Sequence, residues 1–565
     1  MQEIDPAIRQ QWAAATFSDY VNYLLVIDIL LNVSCLAAEQ ASDSVLSSEI
    51  AVDWGTDAQQ RFVGATVASE QWFGYLDGCG TVDELLQRCK ARIGAYRRYF
   101  NYSGALPPSI EQSKTEIGQP AAVVADALRL AGVIPQNSLI FLRIDQHEEL
   151  YALEKLSGYG EVFRKVINRA LSMRDSRIAY RIGTRHYAWN DRVEVWGSSA
   201  TVENLRDYVA LDIDEYFRRP ESKSAGWKFP SFAEDVFRRR LNVAGYDLSD
   251  IHPGKTLDHV FGETLLPSER ARRYARTSDA KLRLEPGWAQ GWGDLLHELW
   301  RKDPMSARLG EAYLRQREQV RRAVATTAPQ GEGLPWEAPE KVWWRKERLE
   351  VAAMQIASDC NQSMIWSGSR HIVELAGGNI LPFMTICGTI WAAWLRNSDC
   401  RLDQEGEPPQ IDVADQTVGV LEASKIWFDK LQEGIYGDRR KRLVSNLGAW
   451  FSVKLKSDRA ISYPGHNGFS LSLAEIDGEG EICELIKECR DQGDLLQSDH
   501  TSKLSDSRPR IKWYLNPILS PFFRIPQSRT KEPIYSTLHE LQSVYDQVPK
   551  ISPPSEDSVA QGELF

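Results

Sequence analysis

The chain of 565 residues has no CxxC pair. Its eight cysteines, at 35, 79, 89, 360, 387, 400, 483 and 489, set up no zinc spacing, and free thiols in a reducing cytosol fit them best. It has no excess of positive charge: 67 Lys and Arg against 78 Asp and Glu give −11. That balance favours solubility and excludes a global field for nucleic acid, leaving only a local basic patch as a route. It has no uninterrupted apolar run of membrane length. Tyr20 to Ala38 is broken by Asn22, Asp28, Asn32 and Ser34 and follows no basic leader, so it is expected to be a buried helix rather than an anchor or signal, in a cytoplasmic protein without a membrane partner. No GxSxG elbow occurs, and His147-Glu-Glu-Leu-Tyr151 and His297-Glu-Leu-Trp-Arg301 start like the HExxH zinc helix without its second His. Hydrolase chemistry of those kinds has no signature here.

What is present is ordinary globular composition, 43% apolar, 26% charged and 10% aromatic, in a length that allows roughly three to five domains. Residues 1 to about 100 read as helices, with Phe17, Val21, Leu24, Leu25 and Leu31 at helical spacing and Val82, Leu85, Leu86, Cys89 and Ile93 repeating it. A helix over Ala121 to Ala131 leads to Leu139-Ile-Phe-Leu-Arg-Ile144, a short apolar run ending in Asp145, which has the pattern of a buried parallel strand. A helix over Val162 to Arg174, a strand Ile178 to Ile182 ending at Gly183-Thr-Arg185, and a third strand Tyr208 to Ile213 complete the order expected of a doubly wound α/β sheet. Beyond it, residues 225–330 read as a charged helical insert. Residues 331–400 read as a second helical block, 413–548 as alternating helices and short strands, and 549–565 as a disordered tail.

The segment Ser138-Leu-Ile-Phe-Leu-Arg-Ile-Asp-Gln-His-Glu-Glu-Leu150 carries the strongest chemical signal. An apolar strand ending in Asp with carboxylates three and four residues later has the form of a Walker B element. Asp145 would hold magnesium through water, and Glu148 or Glu149 would polarise the attacking water. A buried strand followed by an acidic helix N-terminus explains the same residues without any ligand. Val209-Ala-Leu-Asp-Ile-Asp-Glu215 is a weaker copy, read as a strand end. The companion GxxxxGK[ST] loop that would cradle a triphosphate is absent. Its nearest match, Ser249-Asp-Ile-His-Pro-Gly-Lys-Thr256, has Ser for the first Gly and reads as a surface turn.

Taken in order, the IDQHEEL block, Arg181-Ile-Gly-Thr-Arg185, Leu375-Ala-Gly-Gly-Asn-Ile-Leu-Pro-Phe383, Ile511-Lys-Trp-Tyr-Leu-Asn-Pro-Ile-Leu-Ser-Pro521 and Lys531-Glu-Pro-Ile-Tyr535 resemble the bacterial ORC/CDC-type AAA ATPases, a P-loop family often found in phage-defence loci. The resemblance implies an incomplete AAA-like α/β core with a parallel sheet over 1–224, the helical insert, a lid over 331–400 and a winged-helix domain over 413–548. It implies ATP and Mg as cofactors, conditional on a P-loop this sequence does not contain. It implies Asp145 as the magnesium residue, Glu148 as the catalytic carboxylate, and Thr184 and Arg185 in the sensor-1 position, Arg185 serving equally well as a salt-bridge partner of a nearby carboxylate. Gly377-Gly-Asn379 would open a lid helix, with Asn379 toward the nucleotide and Leu381 and Pro382 where a sensor-2 arginine belongs.

Because Met1 already opens into helical sequence, the expectation is either a reading that begins too late or a partner subunit without the loop. Weak or no ATP binding follows as written. The C-terminal helices Val418 to Glu433, Arg439 to Leu447 and Gly480 to Asp491, with strands Asp494 to Gln497 and Ile511 to Leu515, give winged-helix order. The helix in recognition position carries four carboxylates against two bases, so a protein partner or a weak contact to DNA led by Lys503, Arg508, Arg510 and Lys512 is expected, with homo-oligomerisation as the other association. Arg238-Arg-Arg240 and Arg270, Arg272, Arg273 and Arg276 read as solvated faces, and Trp343, Trp344 and Trp366 as packing residues. The two functions that follow are an ATP-driven rearrangement of a partner assembly, set in anti-phage defence by the family's usual location, and a non-enzymatic scaffold with a degenerate nucleotide core.

Overall fold

The computed structural model describes residues 5–547 except 43–51, 219–225, 320–327, 398–405 and 501–508 and shorter gaps at 103, 158–159, 174, 186–187, 189–192, 199, 277, 279–281, 283, 285–287, 289, 329–332, 435, 479 and 530–531. The chain forms two compact units, Met1–Leu211 and Asp212–Phe565.

In the first unit, the helix Val82–Tyr102 starts where Thr81 and Glu84 cap each other, the Glu84 amide donating to Thr81 Oγ1 at 3.2 Å and the Thr81 amide to Glu84 Oε2 at 3.2 Å. It buries Val82, Leu85, Cys89 and Ile93, a stripe at three- and four-residue spacing, in a core shared with Tyr23, Val26 and Leu30 of the helix Pro6–Ser42 and Val124 and Leu128 of the helix Gln119–Leu130, and Tyr96 continues the stripe into a smaller cluster with Leu106 and Ile110. Among the described residues Pro6–Gln40 is the one helix long and apolar enough to cross a membrane by length and composition. Its Asp19 and Asn22 face inward, while Asp28 and Asn32 are exposed. Asp19, fully buried, pairs with Arg92 at 2.7 Å and accepts from Tyr96 Oη at 2.6 Å and from the Thr115 amide at 2.8 Å. Asn22 donates to the Glu116 carbonyl at 2.8 Å and accepts from the Gly118 amide at 2.8 Å. A buried ion pair whose remaining lone pairs and protons are satisfied in this way is a fixed part of a core.

Strands β1 (Ile140–Ile144) and β2 (Ile178–Ile182) pair in parallel, with Ile140 opposite Ile178 and Ile144 opposite Ile182. One face, carrying Leu142, Ile178 and Tyr180, packs against the helices, while Phe141, Arg143 and Arg181 on the other are exposed. The expected third strand over Tyr208–Ile213 does not form. Asn204 and Tyr208 make one isolated bridge, and Asp212 caps the short helix Ile213–Phe217 by accepting from the Glu215 amide at 2.8 Å. An Asp inside an apolar run gives the backbone a local alternative to the ladder. The doubly wound sheet is thus represented, among the described residues, by β1 and β2, and a two-residue antiparallel pair, β3 (Val193–Glu194) and β4 (Thr201–Val202), lies apart from them.

The second unit is helical from Phe229–Val243 through Gly437–Ser457, around one core in which Trp336, Trp366 and Phe383 are fully buried. Trp366 is therefore a packing residue as expected, whereas Trp343 is exposed with Lys346 5.2 Å from its ring centroid. The arginines expected on solvated faces divide. Arg239 pairs with Asp235 one turn away, but Arg238 donates inward to the Ile251 and Leu248 carbonyls, and Arg270 is 1% exposed and binds both oxygens of Glu350. Tertiary carboxylate and carbonyl partners, invisible at helical spacing, drew them in.

After the helix Gly437–Ser457 come β5 (Gly468–Ser472), a short helix Leu473–Ile476, the helix Glu481–Asp491, β6 (Leu495–His500), β7 (Arg510–Leu515) and β8 (Ile534–Tyr535). The sheet order is β6-β7-β5-β8, antiparallel except for the parallel β5–β8 pair. The strand β5 was missed in the sequence because Ser470 and Ser472 break its apolar run, yet all five residues are buried.

Candidate functional site at the carboxyl ends of the parallel pair

The parallel register sets Asp145 and Gly183 side by side just beyond the two strands. The Gly183 amide donates to the Ile144 carbonyl at 2.8 Å and the His147 amide to the Gly183 carbonyl at 3.2 Å, so the turn after β1 is tied to the end of β2. Between Asp145 and His147 the chain passes through Gln146 at φ 56°, a left-handed conformation uncommon for a residue with a side chain. That turn leaves Asp145 exposed with Oδ1 accepting from the Gln146 amide at 2.9 Å. A Cβ at Gly183 would stand 3.0 Å from Asp145 Oδ1, so glycine there keeps the carboxylate unobstructed.

Glu148 opens the helix Glu148–Ser157 and is nearly buried, with Oε1 3.4 Å from Arg185 Nε. Arg185 therefore takes the salt-bridge role that the sequence left open. Thr184 is half-buried, its hydroxyl 3.4 Å from the Arg185 carbonyl. Asp145, Glu148, Thr184 and Arg185 thus meet at one strand end. His147, which sequence reasoning passed over except as a failed zinc motif, is buried between the two acids. Burial, followed by the Arg164 charge, pushes its pKa down to about 4. Arg164 is fixed by Glu154 at 2.6 Å, so the helices Glu148–Ser157 and Val162–Ser172 are bound together behind the site.

Asn379 lies in the second unit, where the Leu381 amide donates to its Oδ1 at 2.9 Å and makes it a cap of the helix Ile380–Asn397. Gly378 before it sits at φ 91°, and a Cβ would stand 2.6 Å from the Phe217 carbonyl oxygen. The loop Ser249–Thr256 cannot cradle a phosphate: the Thr256 and Leu257 amides already donate to the two oxygens of Glu234, at 2.6 and 3.0 Å, and Lys255 pairs with Asp258. No group of three or more metal-ligating side chains forms among the described residues.

Of the four cations expected to lead a contact to DNA, two fall on described residues. Arg510 is buried, Lys512 is half-buried within β7, and Lys503 and Arg508 lie outside the described residues. On the helix Glu481–Asp491, Ile482, Leu485, Ile486 and Cys489 face the core, while Glu481 and Glu484 face out, Glu481 meeting Arg439 at 2.5 Å.

The structure thus places a strand-end acid beside a second parallel strand, with a carboxylate on the following helix. The family model for ORC-CDC6-like proteins matches residues 3–534, and the chain belongs to that family, with the AAA-like α/β fold and AAA ATPase-type function the family implies. No curated protein and no solved structure matches.

Proposed function

We propose that the strand-end cluster is the Walker B and sensor-1 part of a magnesium-dependent ATPase site whose turnover rearranges a protein partner or a homo-oligomer, with anti-phage defence as its setting. The supporting observation is the convergence of Asp145, Glu148 and Thr184 at the ends of two adjacent parallel strands. The residues fit magnesium: Asp145 is exposed, hard in its oxygen donors and unobstructed beside Gly183. They do not by themselves fit a triphosphate, because the sequence contains no GxxxxGK[ST] loop and its nearest match is occupied by Glu234. Bound magnesium would supply charge neutralisation for phosphoryl transfer. Asp145 would hold such an ion through water, Glu148, paired with Arg185 in this structure, would be the carboxylate able to accept a proton from water, and Thr184 would offer a hydroxyl beside it.

The order helix, strand, short helix, helix, strand, strand over 437–515 supports a winged helix. Its outward Glu481 and Glu484 favour docking to protein over reading of DNA, and a scaffold role therefore remains the second reading. The test is ATP hydrolysis and magnesium-dependent nucleotide binding by the purified chain, alone and with its genomic neighbours. Glu148→Gln should cut turnover by roughly 100-fold or more while the variant stays folded. Full turnover in that variant, or activity of the whole system with both Asp145→Asn and Glu148→Gln, leaves the scaffold reading in its place.

A further inference from the structure

Away from this site, the helix Val82–Tyr102 ends in a surface that neither the fold nor the proposed ATPase chemistry uses. After Glu84 it contains no carboxylate and five cations, Arg88, Lys90, Arg92, Arg97 and Arg98, in a chain whose overall charge is −11. Arg92 is committed to Asp19 and Arg88 donates to the Tyr75 carbonyl. Arg97 and Arg98 are exposed and meet no carboxylate among the described residues. Beside them runs a ladder of rings: Trp12 lies 5.7 Å from Tyr99, Tyr99 5.6 Å from Phe100, and Phe100 5.8 Å from Tyr20. Phe100 is 54% exposed and Tyr102 80%, an unusual outlay of aromatic surface next to unneutralised guanidinium groups. Lys114, 5.1 Å from the Trp12 ring centroid, is already paired with Glu111 at 2.8 Å, so the unneutralised charge of the patch is that of Arg97 and Arg98.

We infer that this helix end binds single-stranded nucleic acid, the rings stacking on unpaired bases and Arg97 and Arg98 holding phosphates. The alternative reading as a patch for an acidic protein explains the arginines but leaves the exposed ring faces without a use. A double helix presents phosphates but keeps its bases stacked on one another. Only a single strand offers both a π-face for each ring and a phosphate for each guanidinium.

The experiment is a fluorescence-anisotropy titration of the full chain with a labelled 20-residue oligonucleotide as single-stranded DNA, single-stranded RNA and blunt DNA duplex, without ATP or magnesium, at two salt concentrations. Single strands should bind more tightly than the duplex, and the two single-strand arms tell which sugar is preferred. Tyr102→Ala, at an exposed position that leaves the core intact, should weaken single-strand binding by roughly fivefold or more. Arg97→Ala with Arg98→Ala should lower the slope of log affinity against log salt by about 1.4. Thermal melts confirm that the variants are folded, and a Phe100→Leu variant repeats the stacking test with the local packing kept. Absence of saturable binding at low salt, equal affinity for duplex, or equal competition by polyglutamate overturns the inference. Because no nucleotide is present, its outcome is independent of whether the strand-end cluster hydrolyses ATP.

Discussion

The carboxyl ends of β1 and β2 and the cluster around Arg510 in the sheet of β5, β6 and β7 both gather polar side chains, and they are finished in opposite ways. At the first, Asp145 stands in solvent and the ion pair of Glu148 runs to an Arg185 that is 65% exposed. At the second, Ser470 is fully buried, its Oγ 2.9 Å from His500 Nδ1 and accepting from Arg510 Nε at 3.0 Å. Arg510 also donates to the carbonyls of Ser470 at 2.7 Å and Ser536 at 3.2 Å. An arginine and a hydroxyl side chain occur in both places, open to solvent in one and closed into the sheet in the other. What separates them is whether the protein itself fills the lone pairs and protons.

The comparison is broken most directly by removing Arg510. Arg510→Ala takes away the buried donor shared by Ser470 Oγ and the Ser470 and Ser536 carbonyls and should cost on the order of 3 kcal/mol, read as a lower unfolding midpoint in urea at constant slope. A loss under 1 kcal/mol would mean that this cluster is no more closed than the other.

At the open end, acid sensitivity should depend on His147. Its pKa is lowered from 6.5 to about 4, so the unfolded chain binds the proton more readily, and its share of stability is complete above pH 6.5 and falls as the pH drops toward 4. Replacing it as His147→Gln should flatten urea-unfolding stability between pH 6.5 and 4, and an unchanged pH slope would show that the imidazole is not held neutral. Breaking the Glu148–Arg185 pair as Arg185→Ala should change stability by less than about 1 kcal/mol, since a mostly exposed arginine is screened by solvent. A larger loss would place this end with the structural clusters. The smallest effect belongs to Lys255→Ala: with Glu234 already on the Thr256 and Leu257 amides, neither the melting temperature nor any nucleotide affinity should move.

Much of the strand-end site was legible because its signals are local. The apolar run into Asp145, the acids after it, and Gly183-Thr-Arg185 closing a second run fix two strands and their functional ends, and β1 and β2 formed over Ile140–Ile144 and Ile178–Ile182. The helices between Phe229 and Asn397 were legible only as two helical blocks, without their bounds. The expected strand at Tyr208–Ile213 failed because propensity was read without the capping power of Asp212. Strand β5 escaped because its serines are polar by type and buried by context.

The sequence by itself determined the helical blocks, the two parallel strands, the family, and the residue types that reach the ends of β1 and β2, since spacing and composition act over a few residues. The tertiary structure alone decided that Arg185 neutralises Glu148, that Glu234 closes the one glycine-lysine loop, that Arg270 and Arg510 turn inward, and that Arg97 and Arg98 stay exposed and meet no carboxylate among the described residues. The physical reason is that a charge is settled by whatever meets it in space, and those partners lie as far as 80 residues away along the chain.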